Sequence, residues 1–187
     1  MREAKKILII GLENSGKTTI LISLKKDVNL MSFVNLKPTR GINIENIEGL
    51  DEDLIIWDFG GQLQYREEYL NNFYKYTESI SNLIFVIDVQ AIDKYEDAIN
   101  YLENIVNLLN RERLLVDISI FLHKLDPNLQ NLEKFKNIHT DIQERLLKPI
   151  ENMIPKSYSF KIFKTTIFTV FEKDLLMERD NKKKKLK

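Results

Sequence analysis

Gly11, Gly16, Lys17 and Thr18 stand in the order G-x-x-x-x-G-K-[ST], inside the stretch GLENSGKT. That spacing lets a short loop curl its backbone N–H groups round phosphate oxygens, and a following helix adds its positive end. The candidate phosphate-binding residues are Glu13, Asn14, Ser15, Gly16, Lys17, Thr18 and Thr19. Lys17 would reach the terminal phosphates as a catalytic charge, and the Thr18 hydroxyl would ligate Mg²⁺. At average residue frequencies the pattern arises by chance in on the order of one chain in a hundred of this length. Its position after ILII and before TTILISLKK argues against a Gly-rich turn with an incidental lysine.

A phosphate loop alone does not separate ATP from GTP, or a kinase from a switch. WDFGGQ supplies Asp58, placed to hold Mg²⁺ through water, and Gln62, placed to orient an attacking water. Gly60 and Gly61 leave the backbone free to approach a γ-phosphate; a tight turn capped by Asp58 is the plain alternative. In KPTRG, Thr39 could offer its hydroxyl to Mg²⁺ and its N–H to a γ-phosphate, although a Pro-Thr turn alone would read the same way. The base is addressed by His123-Lys124-Leu125-Asp126, which resembles the guanine motif N-K-x-D with His in place of Asn. A carboxylate at Asp126 would accept both hydrogens from guanine N1 and N2, a pair that adenine lacks. KIFKTTIF could present the backbone N–H groups of Thr166 and Ile167 to guanine O6, as could any edge strand ending in Thr-Thr.

Strand-length apolar runs at Ile7–Ile10, Leu54–Trp57, Leu83–Ile87, Ile118–Leu122 and Tyr158–Phe163 would position these residues. Helical periodicity fills most gaps between them: clearly in 95–109, with Ala98, Ile99, Leu102, Ile105, Val106 and Leu109 on one face, and more loosely in 132–154, interrupted at Pro149. Met153, Phe160 and Phe163 read as core, and His139 as a surface or packing residue. Strands alternating with helices predict an open α/β sheet with helices on both faces. GINIENIEGL and DEDLIIWD, separated by a short turn, predict a hairpin and hence one antiparallel strand.

The chain has 187 residues, with 28 basic and 28 acidic side chains and no cysteine. This length suits one domain burying about 70% of its unfolded surface. Balanced charge argues against general nucleic-acid binding, which needs a positive face. Without cysteine there is no disulfide, no thiolate metal site, and no prenyl or palmitoyl acceptor. The opening MREAKK lacks a signal-peptide core, and no run is long enough to span a membrane. The expectation is a cytoplasmic protein that partners can recruit to a membrane surface. Lys182 to Lys185 close the chain in a basic tail, which could attract anionic lipid at roughly 1 kcal/mol per charge but reads more simply as solvated.

Together these motifs resemble the small GTPases of the Ras superfamily over nearly all of residues 5–178. GLENSGKT, PTRGINIE and WDFGGQ are similar to the Arf and Rag/Gtr branches; HKLD, QYREEYL, FVIDVQ and FKTTIF resemble Rag/Gtr proteins more specifically. The resemblance implies a P-loop NTPase of Ras-like fold: a six-stranded, mostly parallel sheet with one antiparallel strand and flanking helices. It implies a G domain over 1–178 and a polar tail over 179–187. Bound GTP or GDP with Mg²⁺ is expected, with a GAP, an exchange factor and effectors as partners. It further implies pairing as a homo- or heterodimer with another Rag-like GTPase or a roadblock-type protein. Rag proteins carry a C-terminal roadblock domain, and the residues here supply none, so the chain reads as a single-domain relative or a shortened form. His123 cannot make every bond of an Asn amide. Arg40 could act as an arginine in cis or be a solvated surface charge.

Three functions fit: a slow GTP-hydrolysing switch, a nucleotide-dependent scaffold without turnover, and a P-loop kinase. Base preference and phosphate release separate them.

Overall fold

The computed structural model describes residues 4–26, 28–29, 31–34, 36–48 and 53–168. The basic tail at 179–187 and the expected domain end at 178 lie outside them. Six strands form one sheet in the order β2-β3-β1-β4-β5-β6. They are β1 (Lys5–Gly11), β2 (Ile42–Ile47), β3 (Leu54–Phe59), β4 (Ile80–Asp88), β5 (Asp117–His123) and β6 (Phe160–Lys164). β2 runs antiparallel to β3, and every other pairing is parallel. The expected hairpin and the expected sheet are both present.

Parallel strands covered on both faces need apolar side chains on both, which is why ILII is an unbroken run. Leu8 and Ile10 face the larger core layer with Leu83, Phe85, Ile87, Ile118, Ile120 and Leu122. Ile9 faces the smaller layer with Ile56, Val86 and the Ile20 and Leu21 of α1 (Lys17–Ser23). A single turn, α2 (Met31–Val34), precedes β2, and α3 (Leu63–Asn71) and α4 (Phe73–Tyr76) follow β3. The long helix α5 (Tyr95–Arg111) buries Ala98, Leu102, Ile105, Val106 and Leu109 as its periodicity predicts, and Tyr95 and Tyr101 besides. Glu96 and Asp97 in its first turn and Arg111 in its last suit the helix dipole.

Two expectations change. Residues 132–154 begin with a 3₁₀ turn at Glu133–Phe135, and the helix proper starts at α6 (Ile138–Ile142). Pro149 does not interrupt that helix, which passes through a π-turn at Gln143–Leu147 into α7 (Lys148–Met153). A regular α-turn would press the proline ring on the Arg145 carbonyl, four residues back, and leave it without a donor; a wider turn relieves that clash. Phe163 is 42% exposed rather than core. It stands on the edge strand β6, edge-on to Phe121 with ring centroids 5.5 Å apart, while α1, which packs on this same face, lies over β1 and β3 in the far half of the sheet. Phe160 and Met153 are half-buried against the core, and His139 is exposed, 2.6 Å from Gln130 Oε1.

Candidate functional site

The parallel strands end along one edge of the sheet, and the antiparallel β2 begins there, with Ile42 opposite Phe59. β1 has later strands on both sides, β3 on one and β4 on the other. Open α/β sheets bind ligands at such a switch point, beyond the carboxyl ends of the strands. Every candidate site residue lies on that edge. A cleft of about 280 Å³ opens there, lined by Glu13, Asn14, Gly16 to Thr19, Thr39, Gly61, Gln62 and Lys124, among others.

Gly16 precedes α1 with φ +94, a left-handed value that a side chain would strain. A Cβ there would also meet Cδ2 and Nε2 of His123 within 3.0 Å. Lys17, 6% exposed, donates to the carbonyls of Gly11 (3.1 Å) and Leu12 (2.7 Å) and approaches Ser15 Oγ at 3.4 Å. Burial pushes its ammonium down to about 8, with Asp58 the largest opposing influence. A buried cation whose acceptors are neutral loop atoms is a strong attractor for a polyanion.

Asp58 at the end of β3 is fully buried and receives two hydroxyls on one oxygen. Thr18 Oγ1 donates to its Oδ2 at 2.6 Å and Thr39 Oγ1 at 3.1 Å, and the two hydroxyls lie 2.9 Å apart. Its other oxygen, Oδ1, is buried with no hydrogen-bond partner among the described residues. Burial raises this carboxyl above its ordinary range, and the Thr18 and Lys17 contacts oppose the rise. One carboxylate, two hydroxyls and an unspent acceptor suit a hard cation that keeps its waters. Among the described residues no group of three or more His, Cys, Asp or Glu side chains comes together. Mg²⁺ would therefore take its remaining ligands from water and phosphate.

Gln62 caps the start of α3 with extended backbone and lines the cleft, half-buried. Gly61 lies on the phosphate loop: a Cβ there would come within 3.0 Å of Glu13 N and Leu12 C and O. The Gly41 carbonyl accepts from Gly60 N at 2.9 Å and from the Tyr69 hydroxyl of α3 at 2.7 Å. The Thr39 segment, the DFGG turn and α3 thus meet at one oxygen. Arg40 is exposed, as a surface charge would be.

At the other end, His123 is 2% exposed and its Nδ1 lies 2.9 Å from Thr165 Oγ1. Lys124 takes a positive φ of 61 and donates to Asn14 O (2.7 Å) and Asp88 Oδ2 (2.6 Å). Asp126 receives Gln90 Nε2 at 2.9 Å on one oxygen and Thr166 Oγ1 on the other. Thr166 therefore stands at the carboxylate through its side chain, which the motif alone did not indicate, and Ile167 is 38% exposed beside it. Sequence reasoning also missed Asp88 and Gln90. The signal lay in FVIDVQ, where a polar pair directly follows a buried strand.

Burial favours the neutral form of the His123 ring. Its pKa falls below 6.5, first through burial and then through the Lys124 ammonium, with the Asp88 and Asp126 carboxylates opposing. A folded-state value below the unfolded one contributes stability that is present above pH 6.5 and lost as pH falls through the folded value. The melting temperature is expected to drop from pH 6.5 toward 5 more steeply in the wild type than in His123→Asn. Parallel pH curves for the two proteins would remove this role.

The family model of the ADP-ribosylation factor family matches residues 1–175. The chain is 37% identical over 123 residues to the ADP-ribosylation factor-like protein 3 of Caenorhabditis elegans. That match covers 65% of this chain and spans about 61% of the relative's length. Among solved structures, the Arl6 (BBS3) small GTPase from Trypanosoma brucei with bound nucleotide analogue GppNp superposes with a TM-score of 0.67. It is 20% identical, over 88% of this chain and 87% of that one. The mammalian SRP receptor superposes at 0.61 and 15% identity, over 87% and 91%. At these identities the two structures show the fold.

Proposed function

Because the chain belongs to the ADP-ribosylation factor family, we propose that it binds GTP and GDP in the 280 Å³ cleft and acts as a guanine-nucleotide switch. The observation that carries this reading is the meeting of Thr18, Thr39 and Asp58 around one carboxylate oxygen, beside the buried Lys17. Three chain segments contribute these groups, and a Mg²⁺-bound terminal phosphate is a ligand that would engage all three.

Lys17 and the N–H groups at the start of α1 bind the phosphates, and α1's first-turn donors have no intrahelical partners to lose. Thr18 and Thr39 would hold Mg²⁺ directly and Asp58 through water; when bound, the ion supplies charge neutralisation to the phosphates. Asp126 reads the base. Gln62 orients water for attack in line with the leaving oxygen, and turnover by the isolated protein is slow in this reading. Loss of the γ-phosphate frees Thr39 and Gly61, and the released loops change what a partner sees. A GAP, an exchange factor and effectors are the expected partners.

A finer, Rag/Gtr-type reading rests on HKLD, QYREEYL, FVIDVQ and FKTTIF alone, while the matched relative is an ADP-ribosylation factor-like protein. That finer reading predicts pairing with a Rag-like GTPase or a roadblock-type protein. Among the described residues no helix is long and apolar enough to cross a membrane, so cytoplasmic placement with recruitment through partners fits this reading.

Denaturing the purified protein and identifying the released nucleotide tests the base. GDP or GTP supports the switch, while a preference for adenine nucleotides in binding favours the kinase alternative. Gln62→Leu is expected to slow single-turnover phosphate release about 10-fold or more while GTP affinity stays within a factor of about three. Equal release by both proteins would take Gln62 out of the reaction, and no release by either would favour the scaffold.

A further inference from the structure

Gln90 follows β4 by two residues and belongs to none of the recognised nucleotide motifs, yet its side chain ends on the base-reading carboxylate. Its Nε2 donates one hydrogen to Asp126 Oδ2 at 2.9 Å and the other to the Lys124 carbonyl at 2.8 Å. Its own backbone N–H donates to Asp88 Oδ1 at 2.9 Å. The other oxygen of Asp88 receives Lys124 Nζ, which also donates to Asn14 O in the phosphate loop. Asp88 can do this because it pairs with His123 in the β4–β5 register, placing it one residue from Lys124 across the sheet edge.

We propose that Gln90, seated by Asp88, is a positioning residue that fixes the rotation of the Asp126 carboxylate and thereby sets guanine selectivity. A carboxylate has about four acceptor positions. Gln90 spends one on Oδ2 and Thr166 spends one on Oδ1. Among the described residues one position is left on each oxygen, the number needed to accept two parallel N–H donors. Guanine offers such a pair at N1 and N2. With one side of the carboxylate unclamped, the group can turn to follow a single donor but no longer waits in the plane that two require. The amide also cannot be replaced by an acid: a second carboxylate here would face Asp126 at hydrogen-bond distance and repel it.

This inference rests on the guanine reading of the site, and the experiment keeps the two apart. Affinities for GDP, IDP and ADP are measured on the wild type, Gln90→Met and Gln90→Glu, alongside melting curves. IDP keeps the N1 donor and lacks the N2 amine, so the ratio of GDP to IDP affinity reports the paired contact. The wild type is expected to prefer GDP over IDP by about 10-fold or more, as a hydrogen bond to a charged acceptor implies. In Gln90→Met, which keeps the side-chain volume, GDP affinity is expected to fall about 10-fold and IDP affinity much less, so the ratio collapses. Gln90→Glu is expected to lose more GDP affinity than Gln90→Met. An unchanged GDP to IDP ratio in both variants overturns the proposal. So does an equal loss of both nucleotides tracking a lower melting temperature, because a merely structural role predicts that. A wild type with no preference for GDP over ADP overturns the guanine reading, and this proposal with it.

Discussion

Lys17→Ala is expected to lower the affinity for GDP and GTP by about 10²–10³-fold, the loss typical of truncating one partner of a buried, hydrogen-bonded charge pair. The Lys17 side chain is buried, and its ammonium already carries a burial penalty that brings it to about 8. Phosphate oxygens would relieve that penalty, so much of the binding energy is stored in a site that keeps a cation dry. Nothing comparable happens to the fold. The methylenes of Lys17 sit at the first turn of a seven-residue helix, while Ile20 and Leu21 make its core contacts. In thermal melts, saturating GDP should raise the melting temperature of the wild type, since ligand at 100 times its dissociation constant adds about 2.7 kcal/mol. The same GDP concentration should add no more than about 0.4 kcal/mol to Lys17→Ala. A variant that shifts as far as the wild type would show that the loop holds phosphate without its lysine.

The second large effect is predicted at Gly61. Its missing Cβ is the reason the DFGG turn can lie on the phosphate loop, since a methyl would meet the backbone of Leu12 and Glu13 within 3.0 Å. Backbone cannot swing aside as a side chain can, so Gly61→Ala must part the two segments. Overpacking of this kind costs about 1–3 kcal/mol, which lowers the melting temperature by roughly 2–4 °C per kcal/mol in a domain of this size. The effect on turnover should be larger. Gln62 is the next residue, and a displacement of about 1 Å of a positioned group can cost on the order of 100-fold. Stopped-flow phosphate release should fall by about that factor while GDP affinity changes far less. Turnover within a factor of three of wild type would mean that the turn and the loop separate before reaction.

Much of this site is legible in the sequence because each motif is short and sits at a strand end. GLENSGKT, WDFGGQ and HKLD each pair a buried strand with a polar turn, and the sheet order then brings them to one edge without further instruction. What is not legible is how the motifs touch one another. The packing of the His123 ring on Gly16 links residues more than a hundred positions apart, and no periodicity encodes it. Asp88 and Gln90 look like an ordinary strand terminus until the β4–β5 register sets them beside Lys124 and Asp126. Phe163 shows the converse: an apolar residue in a strand pattern reads as core, and only the strand's place at the sheet edge exposes it. Pro149 reads as a break because a regular helix cannot hold it there, and sequence does not reveal that the turn before it widens.

The Gly41 carbonyl carries a last consequence. A carbonyl oxygen has two lone pairs, and here one is taken by the Gly60 amide and the other by the Tyr69 hydroxyl. Water finds no vacant acceptor through which to pry the junction open gradually. Phe59, Tyr69 and Tyr76 stack edge-to-face behind it, with Phe59 centred 4.7 Å and 5.4 Å from the two tyrosines, so α3 cannot tilt without unpacking rings as well. The two hydrogen bonds and the ring contacts must break together or stay together. A junction built this way has two settings and little between them, so a small chemical event in the cleft would be read out as a digital rather than a graded signal.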